Sequence, residues 1–468
     1  MLRSLWLLFV YLSFLGLGTQ APFILTLGYI WVDTFQPQGV AYIILNQLPV
    51  AMIMGAAAVG SYLLLDRRSP PRLNIITVLQ ISLAVWVTMT SLWAVLPAAA
   101  WEKWDWAFKT LIFTAFIPFA IRSRVQIEAF IQVYVFSLMA NLVPFGLKMA
   151  ISGGGYGQSL GLAGGNTGLG EGATLAGVSV MVIPLLLFLR QHAQLVPTKL
   201  MFRQMYLGLS VLAVLTSIGT FERTGLVGLL VLGGAIFLKS RRKIMVAVIG
   251  TVAVAGIMYT TTSAWNARIS TIGNYQQDGS AMTRILVWKW TLDYVSTHPL
   301  GGGFMMYGIN HIEHPPDEEN PAGSVEFGRA FHSVYFEVLG EHGWPGLAMF
   351  LGIAGASLVA LQRAARQVKG IPELRWAGDL ASSLQVSLVV LLACSTFIGI
   401  AFQPWLHYLF AMSVSLPECV RRMVAARAAQ TGEIPPSDIL TSWRSRTVKP
   451  PVGVAASGPV PFRQPTRF

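Results

Sequence analysis

The feature that most constrains this chain is a succession of apolar segments of about 17–25 residues. Each is long enough to cross the hydrocarbon core of a bilayer as an α-helix. Hydrophobic residues make up 54% of the sequence, charged residues only 12%, and the mean hydropathy is +0.58. An ordinary soluble domain carries about 25% charged residues. The sequence therefore predicts an all-α polytopic membrane protein.

The apolar segments predict about 12 or 13 membrane-spanning helices. If both N-terminal segments cross the membrane fully, the N-terminus lies outside the cytoplasm. The positive charge of Arg3 argues against that location, because basic residues near spans favour the cytoplasmic side. One of the two is therefore a candidate for a short re-entrant or tilted helix. The predicted spans are 4–18, 22–35, 40–65, 73–96, 104–121, 125–149, 172–190, 204–220, 224–240, 244–261, 345–362, 377–400 and 403–423.

The basic residues indicate orientation. The formal net charge is +12, which could suggest a nucleic-acid partner, but the excess sits in short loops between spans. Such a distribution follows the positive-inside rule, and we predict no nucleic-acid binding. Residues 262–331 carry four basic and seven acidic residues, so this block is predicted to lie outside the cytoplasm.

The distribution of apolar and polar segments along the chain suggests three regions. Residues 1–190 form an N-terminal membrane region, and residues 191–425 form a core that contains one large periplasmic loop, 262–344. Residues 426–468 are rich in Pro, Ser and Arg and predict a disordered cytoplasmic tail. The Gly-rich segment 152–172 is more typical of a flexible outer loop than of a phosphate cradle, because no strand–turn–helix pattern surrounds it.

The polar loop predicts short helices at the membrane surface. Residues 281–297 form an amphipathic pattern that turns one apolar face to the membrane; its members are Met282, Ile285, Leu286, Trp288 and Leu292. Residues 313–326 are acidic and interrupted by prolines, which indicates an irregular lid. A second helix is predicted from about His332 to Gly343.

The loop also contains the candidate catalytic groups. Five of the seven histidines fall between positions 298 and 342. Arg223, Arg284 and His332 lie where predicted spans meet the outer surface, although each alone could be a snorkelling or structural residue. Together they suit phosphate chemistry: guanidinium groups bind a diphosphate bidentately, and a neutral histidine can accept a proton from a hydroxyl. No metal site is predicted, since the acidic run Asp317–Glu319 is more typical of a solvated loop.

The sequence around His332 resembles the signature of the O-antigen ligase and O-antigen polymerase superfamily. A histidine and a small polar residue precede an aromatic residue, and Leu-x-Glu-x-Gly-x-x-Gly-Leu opens a late span. The matching residues are His332, Ser333, Tyr335, Leu339, Glu341, Gly343, Gly346 and Leu347. Two further arginine motifs match, Thr220–Gly225 and the helix that ends in His298-Pro299-Leu300-Gly301. Within the superfamily the chain most resembles the O-glycosylation ligases associated with exosortase A systems.

The resemblance implies a glycosyltransferase of the bacterial inner membrane with its active site facing the periplasm. The donor would be a glycan on a polyprenyl diphosphate such as undecaprenyl diphosphate, and the acceptor a protein or lipid hydroxyl. Transfer would be inverting and would need neither metal nor cofactor. By position, Arg223 and Arg284 would hold the diphosphate and His332 would be catalytic. Glu222 and Glu341 are further candidates for supporting roles, and Glu222 departs from the Ser-Arg-Gly turn usual in the family and could pair with Arg223. Glu341 is interpreted as orienting the junction between loop and span.

Two other functions remain open. A polymerase would use a second lipid-linked glycan as the acceptor. A polysaccharide transporter or flippase would place charged residues within the spans and show internal repeats. Only Lys109 and Glu128 are prominent charges inside predicted spans, and no repeat is evident. The sequence therefore favours the enzyme.

Overall fold

The computed structural model describes residues 2–41, 44–66, 70–152, 168–197, 199–240, 242–245, 279–314 and 323–431. Helices dominate these residues. They are α1 (Leu2–Gly18), α2 (Phe23–Phe35), α3 (Pro37–Val40), α4 (Ile44–Gln47), α5 (Val50–Leu65), α6 (Ile75–Ser91), α7 (Pro97–Ala120), α8 (Arg124–Ser152), α9 (Gly172–His192), α10 (Leu200–Gly219), α11 (Arg223–Lys239), α12 (Gly279–Thr297), α13 (Val334–Gln367), α14 (Arg375–Cys394) and α15 (Pro404–Thr431).

Several of these helices are long and apolar enough to cross a membrane. Five candidates occur within the described residues, in α8, α9, α10, α13 and the segment Pro372–Cys394, and four shorter apolar helices accompany them. The prediction of an all-α polytopic membrane protein is confirmed. The total of 12 or 13 spans stays a prediction.

Helix α9 is the central element of the core. Almost all of its residues are buried, and it packs against α10, α11 and α14. Small residues allow this close packing: a Cβ atom at Gly177 would lie 3.0 Å from the Cβ of Cys394. The N-terminus of this rigid helix is where the candidate site is built.

The N-terminal region differs from its predicted spans. The predicted span 40–65 is wrong at its start, because α3 and α4 interrupt it and the long helix begins only at Val50. Pro49 explains the break, since proline lacks an N–H group and disfavours helical geometry in the residue before it. Helix α2 has 13 residues. At 1.5 Å per residue it measures about 20 Å, shorter than the hydrocarbon core of about 30 Å.

The polar loop contains more structure than predicted. After α12, a 3₁₀ turn at Met306–Ile309 leads into strand β1 (His311–His314), which pairs antiparallel with β2 (Ser324–Phe327). The prediction of an irregular lid over 313–326 is therefore wrong at both ends. Alternating burial along β2 places one face toward the rest of the loop, a pattern that the prolines obscure in the sequence.

Helix α12 occurs where it is predicted, but the predicted membrane-facing side is wrong for Leu286 and Trp288. Leu286 and Trp288 pack inward against a buried cluster formed by Val287, Met306, Ile312 and Phe331. Ile285 and Leu292 remain exposed. One side of the helix packs on a small core inside the loop. Sequence periodicity alone cannot distinguish an apolar face that packs on such a core from one that faces the membrane.

The second predicted helix and the following span form a single element with a break. Helix α13 runs from Val334 to Gln367, and Gly343 interrupts it with φ 64° and ψ −168°. Several predictions lie outside the described residues: most of the span 244–261, the start of the loop at 262–278, most of the Gly-rich segment at 153–167, the acidic run 317–319, and the tail from 432 onward.

Candidate active site

His332 is held in an unusual backbone conformation. Its φ is 45°, in the left-handed region that a residue with a side chain rarely adopts. Such a conformation costs about 1–3 kcal/mol and is found mostly at functional sites. The neighbours fix it: the carbonyl of Phe331 accepts a hydrogen bond from Trp288 Nε1 at 2.9 Å, and Val334 N donates to Ser395 O at 2.9 Å. His332 thus projects between two buried residues, Phe331 and Ser333.

The imidazole of His332 faces a carboxylate from α9. Its Nδ1 lies 3.3 Å from Oε1 of Glu171, the residue that immediately precedes that helix. The other oxygen of Glu171 accepts a hydrogen bond from Thr174 Oγ1 at 3.1 Å. Burial raises the pKa of Glu171, but the hydrogen bonds from His332 and Thr174 and the charges of His332 and Arg284 outweigh it, so the pKa lies below its usual value. Glu171 is therefore an ionised acceptor at neutral pH.

Arg284 and the residue before Arg223 lie near the start of α9 from two different helices. Arg284 lies in the first turns of α12, near enough for its charge to stabilise ionised Glu171. Arg223 begins α11, and the preceding Glu222 lies against the start of α9, since a Cβ atom at Gly172 would be 3.2 Å from Glu222 Oε1. The ends of three helices thus gather around Glu171.

A cavity of about 560 Å³ opens beside His332. Polar and aromatic side chains form its walls, among them Glu102, Lys103, Glu171, Tyr307, His332 and Gln403. His332 and Glu341 are the predicted site residues that line it. Arg223, Arg284 and Glu222 are not among the described residues of its wall. The cavity and the arginines therefore occupy separate parts of the region around Glu171 and His332.

Part of the cavity wall is a largely buried cluster of three charged groups. Lys103 Nζ is 2.7 Å from Glu337 Oε1 and 2.8 Å from Glu341 Oε1. Glu341 Oε1 also accepts from Met305 N at 2.9 Å, and Glu337 Oε2 accepts from Ala401 N at 3.1 Å. The cluster joins α7, α13, the loop before the 3₁₀ turn and the loop before α15.

Sequence reasoning missed two of these residues. Lys103 is not singled out from the sequence, and Glu171 is treated only as part of the Gly-rich segment 152–172. Signals for both exist in the sequence. Glu337 and Glu341 are four residues apart, on one helix face. Two buried carboxylates there require a cation. Glu171 is an acidic residue placed directly before an apolar span.

Comparisons with known proteins match two parts of the chain. Residues 2–194 match a family of unknown function, DUF5935. Residues 208–351 match the O-antigen ligase family. No curated protein matches the chain.

The second match supports the O-antigen ligase superfamily, in agreement with the motif around His332. It covers Arg223, Arg284, His332 and Glu341. The protein is thus a multi-pass membrane protein whose residues 208–351 are similar to O-antigen ligases, a family of membrane glycan ligases and polymerases. Glu171 and Lys103 lie outside that range, in the segment that matches the family of unknown function.

Proposed function

We propose that this protein is a glycan ligase of the bacterial inner membrane, of the exosortase-associated O-glycosylation type. It would transfer a glycan from a polyprenyl diphosphate to a hydroxyl of a protein or lipid on the periplasmic face. The observation that carries the proposal is His332, held on a strained backbone at the wall of a cavity and directed at an ionised carboxylate. The similarity of residues 208–351 to O-antigen ligases supports glycan transfer as the chemistry.

The donor would be bound through its diphosphate. Arg223 is the first residue of α11 and Arg284 lies in the first two turns of α12, and guanidinium forks suit the paired oxygens of a diphosphate. Helix N-termini add partial positive charge there. This charge would stabilise the diphosphate as it leaves.

His332 would act on the acceptor. If its Nδ1 keeps a proton toward Glu171, Nε2 carries the lone pair that accepts the proton of the acceptor hydroxyl. The hydroxyl oxygen attacks the anomeric carbon, the bond from that carbon to the diphosphate oxygen breaks, and the bonding electrons leave with the diphosphate. Attack from the face opposite the leaving group inverts the anomeric centre. The cavity beside His332 would hold the acceptor.

Reconstitution tests the function directly. The purified protein in liposomes, given a polyprenyl-diphosphate-linked oligosaccharide and a hydroxyl-bearing peptide or lipid, should yield an acceptor that carries one glycan, detected by mass spectrometry. A ladder of lengthened lipid-linked glycans in the absence of an added acceptor would identify a polymerase instead. Movement of the intact lipid-linked donor across the bilayer without transfer would identify a flippase.

The His332→Ala variant is the essential comparison in that assay. A general base contributes about 10²–10⁴-fold, so transfer should fall by that factor while donor binding and the amount of protein in the membrane stay unchanged. His332→Gln, which keeps a hydrogen bond and loses the proton acceptor, should be equally impaired. Exposed His298 provides the matched control, and His298→Gln should transfer normally. Near-normal transfer by His332→Gln would show that the histidine positions a group and is not the base.

The charges inside predicted spans do not favour a transporter. Glu128 Oε1 accepts hydrogen bonds from Gln194 N at 2.6 Å and Leu195 N at 2.8 Å, so it fixes the segment that follows α9. Lys109 forms an exposed ion pair with Asp105 at 2.7 Å. Both residues therefore have structural partners of their own.

A further inference from the structure

The contact between Glu171 and His332 has no adequate explanation as a stabilising ion pair. The two side chains are 42% and 43% exposed. Pairs with this exposure contribute only about 0–1 kcal/mol. The left-handed backbone of His332 costs about 1–3 kcal/mol, more than the pair returns. The ion pair by itself therefore does not account for the arrangement, and its geometry points to another role.

The surroundings of Glu171 suit a residue that orients an imidazole. One carboxylate oxygen faces His332 Nδ1 at 3.3 Å, and the other is fixed by Thr174 at 3.1 Å. The backbone of Glu171 is also fixed, because its carbonyl accepts the first hydrogen bond of α9, from Leu175 N at 2.9 Å. Since α9 is the most buried long helix described, the carboxylate is attached to a rigid support. A carboxylate held on one imidazole nitrogen selects the tautomer that leaves the other nitrogen free to accept a proton.

We propose that Glu171 is a positioning residue that sets the tautomer and ring orientation of His332, and that the region matching the family of unknown function thereby completes the ligase active site. This inference rests on the proposed function. The ligase domain itself covers residues 208–351, so the carboxylate comes from a segment outside it. Lys103, from the same N-terminal region, adds a second connection by binding Glu337 and Glu341 of α13. The N-terminal region is therefore part of the catalytic unit.

The test compares Glu171→Gln with Glu313→Gln, an exposed glutamate on β1 that serves as control. Glutamine keeps the size of the side chain and loses the charge. We expect Glu171→Gln to lower kcat between about tenfold and 10⁴-fold, the range for carboxylates that orient histidines. KM for the donor, the amount of protein in the membrane and the thermal midpoint should not change. Glu171→Asp should recover part of the rate, and Glu313→Gln should match the wild type.

A double-mutant cycle separates positioning from an independent effect. If Glu171 acts through His332, then Glu171→Gln should cause no further loss in the His332→Gln background, measured with radiolabelled donor over long incubations. An equal loss in both backgrounds would overturn the inference. So would a Glu171→Gln variant with more than half of the wild-type kcat, or one whose loss of rate follows a loss of folded protein. Full transfer by His332→Ala would instead refute the proposed function.

Discussion

At the scale of single residues, the site separates groups by what each can do. The arginines carry a permanent charge, His332 can exchange a proton, and Glu171 accepts hydrogen bonds. His332 lines the cavity, whereas Arg223 and Arg284 are not among the described residues of its wall.

The donor role of the arginines gives a prediction at this scale. Arg284→Lys and Arg223→Lys should each reduce transfer nearly as much as replacement by alanine, because lysine keeps the charge but cannot form the bidentate fork. The measurement is initial transfer rate against donor concentration in liposomes. Arg366→Lys, on the far part of α13, is the control. Full activity of both site variants would exclude bidentate binding.

The same assay examines metal dependence. Because the arginines are proposed to neutralise the diphosphate, treatment with EDTA should leave transfer intact. If EDTA abolished transfer and a divalent cation restored it, the acidic run 317–319 would become the first place to search for a metal site.

At the scale of elements, the break in α13 at Gly343 sets the geometry with which the polar loop joins the membrane-spanning part of that helix. The backbone of Gly343 occupies a region that only glycine adopts, and a Cβ atom there would lie 2.2 Å from Pro299 O and 2.5 Å from Leu300 C. The break allows Trp344 N to donate to Pro299 O at 3.0 Å, and Gly303 N to donate to Glu341 O at 2.8 Å. The segment after α12 is thus attached directly to the kink.

Replacement of this glycine should therefore be severe. We expect Gly343→Ala to lower the thermal midpoint in detergent and to abolish transfer, since backbone atoms must move to accommodate the methyl group. Gly355→Ala on the same helix is the control: no atom lies within 4 Å of its added Cβ, so it should be neutral or slightly stabilising. Equal behaviour of the two variants would show that the kink is not required.

The Lys103 cluster is the second feature at this scale. Removing one member of a buried ion network leaves the other charges uncompensated, at a cost of about 3–5 kcal/mol. Lys103→Met should therefore destabilise the protein strongly, while Lys109→Met, which removes an exposed pair, should cost about 0–1 kcal/mol. Chemical unfolding in detergent micelles measures both.

A compensating variant tests whether the loss of stability comes from the uncompensated charges of the two glutamates. Adding Glu337→Gln and Glu341→Gln to Lys103→Met removes the unpaired charges and should recover part of the lost stability. If the triple variant is no more stable than Lys103→Met, the lysine contributes through packing and not through charge.

At the scale of the whole molecule, all the site residues belong to one compact unit, Met1–Val420. Orientation in the membrane is the property that the proposed function most depends on. The basic loops predict that residues 262–344 face the periplasm and that the C-terminal tail faces the cytoplasm. Both native cysteines are buried, which allows added cysteines to be labelled without background.

Labelling with a membrane-impermeant maleimide in intact cells tests this orientation. Ser324→Cys should react, and Ser457→Cys should react only after the membrane is opened. Reaction of Ser324→Cys only after lysis would place the loop in the cytoplasm and contradict the proposed function.

The sequence by itself determined the class of fold and the site residues proposed from the ligase domain. Apolar length fixes helices across a membrane, charge bias predicts orientation, and the motif from His332 to Leu347 indicates the superfamily, since all three depend on local composition or spacing. The tertiary structure alone decided which distant residues complete the site. Lys103 and Glu171 are separated from Glu341 and His332 by 238 and 161 positions. The inward face of α12 could not be predicted either, because burial against a distant segment leaves the same sequence periodicity as burial in a membrane. The β1–β2 pair was also not predicted.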